Sequence, residues 1–303
     1  MTGPILECVP NVSEGRDQRV LDQLADAIRG VANVRLADIQ SDPDHHRSVF
    51  TFLGAPDAVE AAALALAGAV FPRVDMRRHH GVHRRLGALD VVPFVPLRDM
   101  TMDEAAARAR AVGERLAAIH GLPVYFYGAA ATTPARRALP VVRAGGYEGL
   151  PTRLADPAWR PDAGPARFDP QKGATAVGAR DVLVAYNVWL HSADVDAARA
   201  IARAIRESSG GLPKLQALGL PLAHRGLAQV SMNLLDYRVT SLARAFDAVQ
   251  SEADRRGIAV ERGELVGLAP RAAFEGRAPA SVGLAEMRPE QYLETHLEPR
   301  GRP

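Results

Sequence analysis

The hydrophobic and polar positions in the first half of the chain alternate between short apolar runs and helical spacing. Leu21, Leu24 and Ile28 recur at intervals of three and four residues, which predicts an amphipathic helix with one buried face. Thr101 and Glu104 form a capping-box pattern at the start of another helix. The predicted strands are 5–9, 34–39, 48–53, 88–95 and 124–127, and the predicted helices are 17–29, 57–70 and 101–119.

The second half repeats the same order of elements. Its predicted strands are 182–190, 215–218, 228–233 and 258–260, and its predicted helices are 193–207, with Ser192 as the cap, and 241–255. Both halves are therefore β-α-β-β-α-β, an order that places helices on one face of a sheet. The sequence predicts an α/β (α+β) protein of two side-by-side ferredoxin-like subdomains, 1–178 and 179–303, each with a mixed sheet and its helices on one face.

The segment between the halves, 145–180, is rich in Gly and Pro and has no sustained periodicity. It is much longer than ordinary connections of about 4 to 6 residues, so it is either a disordered linker or an ordered functional crossover. Its aromatic residues Tyr147, Trp159 and Phe168 favour order, because aromatics among Pro and Gly can wall a groove for a flat ligand.

Charge and composition exclude several classes of protein. The 303 residues carry 37 Lys+Arg against 35 Asp+Glu, a balance that argues against a dedicated nucleic-acid or membrane-surface protein. All the cations except Lys172 and Lys214 are arginines, whose guanidinium groups suit carboxylates, although coding bias also explains the excess. The single cysteine, Cys8, excludes an internal disulfide framework and a Cys-based zinc site, and we expect it in a buried strand.

Neither a signal peptide nor an apolar run of about 18 residues is present, so we expect a cytoplasmic protein with no membrane partner. Nucleotide binding is disfavoured, because the Gly-rich segment at 173–178 leads into a predicted strand and not into a helix. Covalent catalysis is also disfavoured, because there is no GxSxG motif and Cys8 lies on a predicted strand.

Five of the nine histidines lie in two short clusters, His45 with His46 and His79 with His80 and His83. Both clusters fall in or beside predicted loops, where catalytic residues concentrate, and a neutral imidazole can accept and return a proton near pH 7. Three interpretations remain open. One histidine is a proton shuttle beside carboxylate-binding arginines; or the histidines, with nearby acids, hold a divalent metal; or the clusters are only hydrogen-bonded loops.

Several segments together carry a more specific signal than any of these motifs. They are 7–15 (ECVPNVSEG), 46–49 (HRSV), 79–90 (HHGVHRRLGALD), 125–128 (YFYG), 143–145 (RAG), 173–175 (GAT), 178–180 (GAR) and 227–233 (LAQVSMN). In order and spacing the chain resembles the formiminotransferase (glutamate formimidoyltransferase) family over about residues 5 to 270.

The resemblance implies two α/β subdomains with a folate cleft between them, and a homodimer. From the length of the chain, we expect no cyclodeaminase domain. It implies transfer of a formimino group from N-formimino-L-glutamate to N5 of tetrahydrofolate, a co-substrate, in histidine degradation and one-carbon metabolism, with no metal and no nucleic-acid partner. His79 matches the catalytic histidine of the family. The implied folate contacts are Arg160, Asp162, Gly164, Pro165, Phe168 and Asp169. The candidate substrate contacts are His46, Arg47, His83, Arg85, Arg180 and Asn233, with Arg84 as an alternative to Arg85.

Five positions depart from the usual pattern of the family. Gln40 replaces an acid, His46 replaces Asn, and His80, Val82 and Arg84 replace Lys, Glu and Pro. Altered residues around the reacting groups change the donor or its affinity most readily, so a different formimino or formyl amino donor stays open. From other classes, a metal-dependent formimino amidohydrolase stays open, and an RNA-binding module is disfavoured by an aromatic content of only 5%.

Overall fold

The chain folds into two compact units, Met1–Arg180 and Asp181–Pro303. The structure is a computed structural model that describes residues 3–81 and 84–297. Each unit is built on its own sheet, of seven strands in the first and four in the second. The predicted α/β class with two subdomains is confirmed.

The helices of the first unit begin where the sequence predicts them to begin. The Asp17 carboxylate accepts hydrogen bonds from the first backbone N–H groups of α1, and Thr101 with Glu104 forms the predicted capping box of α3. The elements of this unit are β1 Ile5–Cys8, β2 Asn11–Val12, α1 Gln18–Arg29, β3 Val34–Asp42, β4 Arg47–Gly54, α2 Pro56–Val70, β5 Leu89–Arg98, α3 Met102–His120, β6 Val124–Gly128, α4 Leu139–Val142, α5 Leu150–Ala155 and β7 Thr175–Ala179.

The first sheet is mixed, as predicted. β1 and β2 lie between β4 and β5, and β3 pairs with β4 at one edge; all these pairings are antiparallel. On the other side β7 pairs in parallel with β5 and with β6. The β-α-β-β-α-β part of this unit is therefore extended by β6, which the sequence predicts at 124–127, and by β7, which it does not predict.

Both faces of the first sheet are covered, whereas the sequence predicted helices on one face only. On one face, α1, α2 and α3 pack over a core that includes Leu6, Phe50 and Phe94. On the other face, residues of α4 and α5 enclose a smaller core with Tyr125 and Leu150. The segment 145–180 is thus an ordered crossover that contributes α5 and β7.

The second unit has the predicted β-α-β-β-α-β order, and its strands lie in the order β11-β8-β10-β9. This sheet is antiparallel throughout and not mixed. Asp194, not Ser192, caps α6, and the last strand begins at Val260, where the predicted strand ended. The elements are β8 Val184–Leu190, α6 Val195–Ile205, β9 Leu215–Leu222, β10 Leu227–Leu234, α7 Leu242–Asp254, β11 Val260–Val266 and α8 Glu294–Leu297.

Cys8 lies buried on β1, as predicted, and burial raises the pKa of its thiol. Among the helices within residues 3–81 and 84–297, none is long and apolar enough to cross a membrane.

Candidate functional site

The loop after β3 and the loop before β5 bring His46 and His79 together. The His79 ring stacks on the His46 ring, with centroids 4.3 Å apart and planes inclined by 8°. His79 Nε2 lies 2.7 Å from the backbone oxygen of His46. A Cβ at Gly81 would meet the His45 carbonyl oxygen at 2.2 Å, so only glycine allows this approach of the two loops.

The hydrogen bonds of His79 define its tautomer. Arg85 Nε, which can only donate, lies 3.1 Å from His79 Nδ1, so Nδ1 is the acceptor. The ring proton then resides on Nε2, which donates to the His46 carbonyl oxygen. His79 is only 5% exposed, and its pKa is lowered chiefly by this burial, with the charge of Arg85 acting in the same direction. His79 is therefore a neutral imidazole at neutral pH.

Arg85 is held by the segment after α4. Its two terminal nitrogens form a bidentate ion pair with Glu148, at 3.0 Å (Nη1 to Oε2) and 2.7 Å (Nη2 to Oε1). The neighbouring Tyr147 donates its backbone N–H to the Arg85 carbonyl oxygen at 2.7 Å, and the guanidinium lies 5.6 Å from the Tyr147 ring centroid. Arg85 thus joins His79 to a part of the chain more than 60 residues away.

His46 is fixed from its other side by Glu14. Oε1 of Glu14 accepts hydrogen bonds from the backbone N–H groups of Gly15, Arg16 and Asp17, which precede α1, and it lies 3.3 Å from His46 Nε2. The backbone of His46 has φ = 49°, a left-handed conformation that Asn, the usual residue of the family here, adopts more readily than most others.

Positive charge collects beside these loops at the start of β4. Burial and the nearby Arg143 lower the pKa of Arg47 to about 10, although Asp90 and Asp42 oppose them. Arg143 forms an ion pair with the buried Asp90, whose other oxygen accepts from the backbone N–H of Leu86 at 2.8 Å. An anionic ligand group would offset the repulsion between the two arginines.

Three of the predicted folate contacts maintain the shape of their segment. The Asp162 carboxylate pairs with Arg136 at 2.8 Å and accepts the backbone N–H of Phe126 at 2.8 Å. Gly164 has φ = 83°, and a Cβ there would lie 2.2 Å from a backbone oxygen. Asp169 accepts backbone N–H groups of the following turn at 2.8 and 3.2 Å.

The other three predicted folate contacts have side chains that are more accessible to a ligand. Arg160 and Pro165 are exposed. Phe168 is partly buried, and its ring lies 5.3 Å from that of Tyr147, the residue that packs beside Arg85. A chain of direct contacts, Phe168 to Tyr147 to Arg85 to His79, therefore links this segment to the histidine.

The remaining predicted substrate contacts are Arg180, Asn233 and His83. Arg180 acts electrostatically on Glu7 and on Tyr127; burial raises the pKa of Glu7 to about 7 and that of Tyr127 to about 12, and Arg180 opposes both shifts. Asn233 lies exposed on β10 in the second unit. His83 lies outside the described residues.

Sequence reasoning did not identify Glu14, Glu148 or Arg143 as residues of this site. Glu14 and Arg143 do occur in the segments that carry the family resemblance, which was the available signal. Glu148 follows one of the aromatic residues of the crossover, but its contact with Arg85 is purely tertiary.

Both ring nitrogens of His79 are engaged by protein groups, so its use as a metal ligand would require breaking one of these hydrogen bonds. Within the described part of the chain, no three His, Cys, Asp or Glu residues are grouped so that they could hold a metal ion. A buried neutral imidazole among arginines suits proton transfer, and this also requires Arg85 to move away from Nδ1.

Two family models match the chain: the N-terminal subdomain of the formiminotransferase domain over residues 5–180, and the formiminotransferase domain over residues 185–279. The chain is 41% identical to a glutamate formimidoyltransferase of Streptococcus pyogenes serotype M1, covering 97% of this chain and 98% of the relative. A glutamate formimidoyltransferase of Thermoplasma acidophilum is 41% identical, with 89% of each chain covered.

The chain is also 46% identical to the formimidoyltransferase-cyclodeaminase of Sus scrofa, over 88% of this chain. The chain spans about half the length of this relative, since the match covers 50% of it. Both family models together cover most of the sequence, and the bacterial relative is covered almost end to end. The chain belongs to the formiminotransferase domain family.

Proposed function

We propose that the protein transfers the formimino group of N-formimino-L-glutamate to N5 of tetrahydrofolate, giving 5-formiminotetrahydrofolate and L-glutamate, with His79 as general acid and base. The observation that carries the proposal is the buried, neutral His79 imidazole in a chain that belongs to this family. The relative from Streptococcus pyogenes, whose name states this activity, supports the same reaction.

The reaction requires one proton to leave and one to arrive. N5 of tetrahydrofolate attacks the amidine carbon and forms a tetrahedral centre, and N5 then gives up its proton. The glutamate nitrogen must gain a proton before it departs. A single imidazole within reach of N5 and of the glutamate nitrogen can take the proton from N5 and deliver it to the glutamate nitrogen. Such acid–base catalysis contributes about 10²- to 10⁴-fold to the rate.

The lowered pKa of His79 suits this role, because an imidazole that is neutral at pH 7 is ready to accept a proton. The remaining acceleration comes from holding the two substrates together in a reactive orientation. No step of this scheme needs a metal ion.

We place tetrahydrofolate against the segment 160–169. Phe168 offers an aromatic ring beside Tyr147, and Arg160 and Pro165 are exposed, so these residues contact the ligand. Asp162, Gly164 and Asp169 act mainly by fixing the backbone of the segment.

Both substrates carry carboxylates, and we assign their binding to arginines. Arg47 adjoins His46 in sequence and shares its surroundings with Arg143, so a carboxylate bound there relieves their mutual repulsion. Arg180, Asn233 and His83 remain proposed contacts, carried by the family resemblance alone.

The differences at Gln40, His46, His80, Val82 and Arg84 bear on the donor. His46 stacks directly on His79, so a replaced side chain at this position changes the immediate surroundings of the reacting groups. A different formimino or formyl amino compound is therefore the second candidate donor. We further propose a homodimer acting in the cytoplasm, which sedimentation equilibrium and fractionation of the native cells test.

The experiment mixes pure protein with tetrahydrofolate and N-formimino-L-glutamate and follows the absorbance of 5-formiminotetrahydrofolate. We expect turnover that requires both substrates and survives treatment with a chelator. The same assay with N-formyl-L-glutamate and with formimino derivatives of other amino acids ranks the donors. No turnover of formiminoglutamate at high enzyme concentration would reject this donor, and folate-independent, chelator-sensitive hydrolysis would instead favour an amidohydrolase.

A further inference from the structure

Arg85 and Glu148 have a relation to His79 that differs from carboxylate binding. We infer that they form a positioning pair, in which Glu148 holds Arg85 and Arg85, acting together with the His46 carbonyl oxygen, holds His79 as the neutral Nε2–H tautomer, leaving Nδ1 as the atom that accepts the proton in catalysis. The catalytic consequence rests on the proposed function. The tautomer itself is a property of the resting protein.

The guanidinium of Arg85 already has partners on each of its nitrogens. Nε donates to His79 Nδ1 at 3.1 Å, and the two terminal nitrogens form the fork with Glu148 at 3.0 and 2.7 Å. Two parallel hydrogen bonds fix the plane of the guanidinium and therefore the direction of its third donor. Glu148 thus determines where the Nε–H of Arg85 points.

Burial differs sharply across this pair. The Arg85 side chain is 12% exposed and the Glu148 side chain is 65% exposed. Glu148 therefore keeps contact with water while neutralising a cation that is almost buried beside the imidazole. Partial burial favours the neutral carboxyl, yet the hydrogen bond from Arg85 lowers the pKa of Glu148, so the pair stays charged at neutral pH.

A substrate-binding role for Arg85 conflicts with this geometry. The two terminal nitrogens of Arg85, which would bind a substrate carboxylate, already form a bidentate ion pair with Glu148. A substrate carboxylate would have to displace the Glu148 carboxylate from both terminal nitrogens. Arg85 therefore acts through His79 and is a positioning residue.

The pair also affects when His79 is protonated. Nε2 already carries a proton, so the proton from N5 of tetrahydrofolate enters at Nδ1, and Arg85 must withdraw from Nδ1 at this step. The proton then leaves Nδ1 for the glutamate nitrogen, and Arg85 returns. Because Arg85 is a cation that donates to Nδ1, it disfavours protonation of the ring from solvent.

The test combines spectroscopy of the resting protein with kinetics. Histidine is labelled with ¹⁵N, and the His79 signals are assigned by their loss in His79→Gln. In the wild-type protein without substrates we expect a protonated Nε2 and an unprotonated Nδ1. Arg85→Ala leaves only the His46 carbonyl oxygen to favour a protonated Nε2, so it should admit a detectable fraction of the Nδ1–H tautomer. It should also move the acid limb of the kcat/KM profile upward by about one pH unit, because a neighbouring cation has been removed.

Matched variants separate positioning from other effects. Arg85→Lys keeps one donor and should restore part of the wild-type tautomer, and Glu148→Gln should shift the tautomer in the same direction as Arg85→Ala without touching the imidazole. Arg77→Ala is the control, since Arg77 is an exposed arginine near His79 in sequence whose Nε donates to Asp75. It should change neither the tautomer nor the pH profile.

An unchanged tautomer and pH profile in both Arg85→Ala and Glu148→Gln would overturn the inference. A rise of tenfold or more in KM for the donor alone, with the profile unchanged, would restore Arg85 as a carboxylate contact. If Arg85→Ala does not fold, Glu148→Gln decides on the same criteria. The spectra are recorded without substrate. If they show the expected tautomer but formiminoglutamate is not turned over, only the proposed function is rejected.

Discussion

The buried carboxyl of Glu7 makes the stability of the first unit depend on pH in an unusual direction. Glu7 lies on β1 between β4 and β5, opposite Leu53 and Val95, and is 5% exposed. Burial raises its pKa from 4.5 to about 7, although Arg180 acts in the opposite direction. The folded protein therefore binds the Glu7 proton more tightly than the unfolded chain does.

The direction and size of the pH dependence that Glu7 contributes to stability follow from proton linkage. Between pH 4.5 and 7 the folded state holds more of this proton than the unfolded state, so the Glu7 contribution to the free energy of unfolding is complete below pH 4.5 and falls as pH rises towards 7. A shift of this size at about 1.4 kcal/mol per pH unit corresponds to about 3 kcal/mol. Glu7→Gln has no such proton, so its stability relative to the wild-type protein should rise by about 3 kcal/mol over this interval.

The assay is urea unfolding at a series of pH values from 4.5 to 8.5 in a Trp189→Phe background, where Trp159 is the only tryptophan and reports on the first unit. Glu114→Gln is the matched control, since Glu114 is exposed on α3. A constant offset between Glu7→Gln and the parent over the whole pH range would refute the reasoning.

Two further expectations test the loops and the crossover. Gly81→Ala places a Cβ 2.2 Å from the His45 carbonyl oxygen and should lower turnover at least about tenfold. Gly68→Ala, with no atom within 4 Å of its Cβ, should leave steady-state rates unchanged, and equal rates in the two variants would contradict this account. Asp162→Asn breaks a buried pair with Arg136 and should lower the free energy of unfolding by about 3 kcal/mol in urea titrations and weaken tetrahydrofolate binding; unchanged binding would argue against the role of this segment.

Local signals in the sequence predict local structure well. The periodicity and caps that define α1 and α3 act within a few residues, and the structure contains both helices within a residue or two of the predicted bounds. β7 has no such signal, because Thr175–Ala179 is short and is stabilised by parallel pairing with β5 and β6. β11 is similar: its register is fixed by pairing with β8, and the apolar residues 258–260 predicted the wrong bounds.

The candidate site also combines features that are visible in the sequence with features that depend on tertiary contacts. The clustering of His45, His46 and His79 is visible in the sequence, and the structure brings these loops into contact. The partner of Arg85 is not visible, because Glu148 lies in a crossover whose path depends on the smaller core on the second face of the sheet. Tertiary contacts of this kind decide whether an arginine binds substrate or positions another residue.

The most direct test of the central claim, that His79 moves the proton in formimino transfer, compares wild-type protein with His79→Ala in the same preparation. Tetrahydrofolate binding is measured by calorimetry, and single-turnover formation of 5-formiminotetrahydrofolate is measured with saturating N-formimino-L-glutamate. The account predicts unchanged folate affinity and a rate reduced by about 10²- to 10⁴-fold. A variant that binds folate normally and turns over at close to the wild-type rate would contradict it.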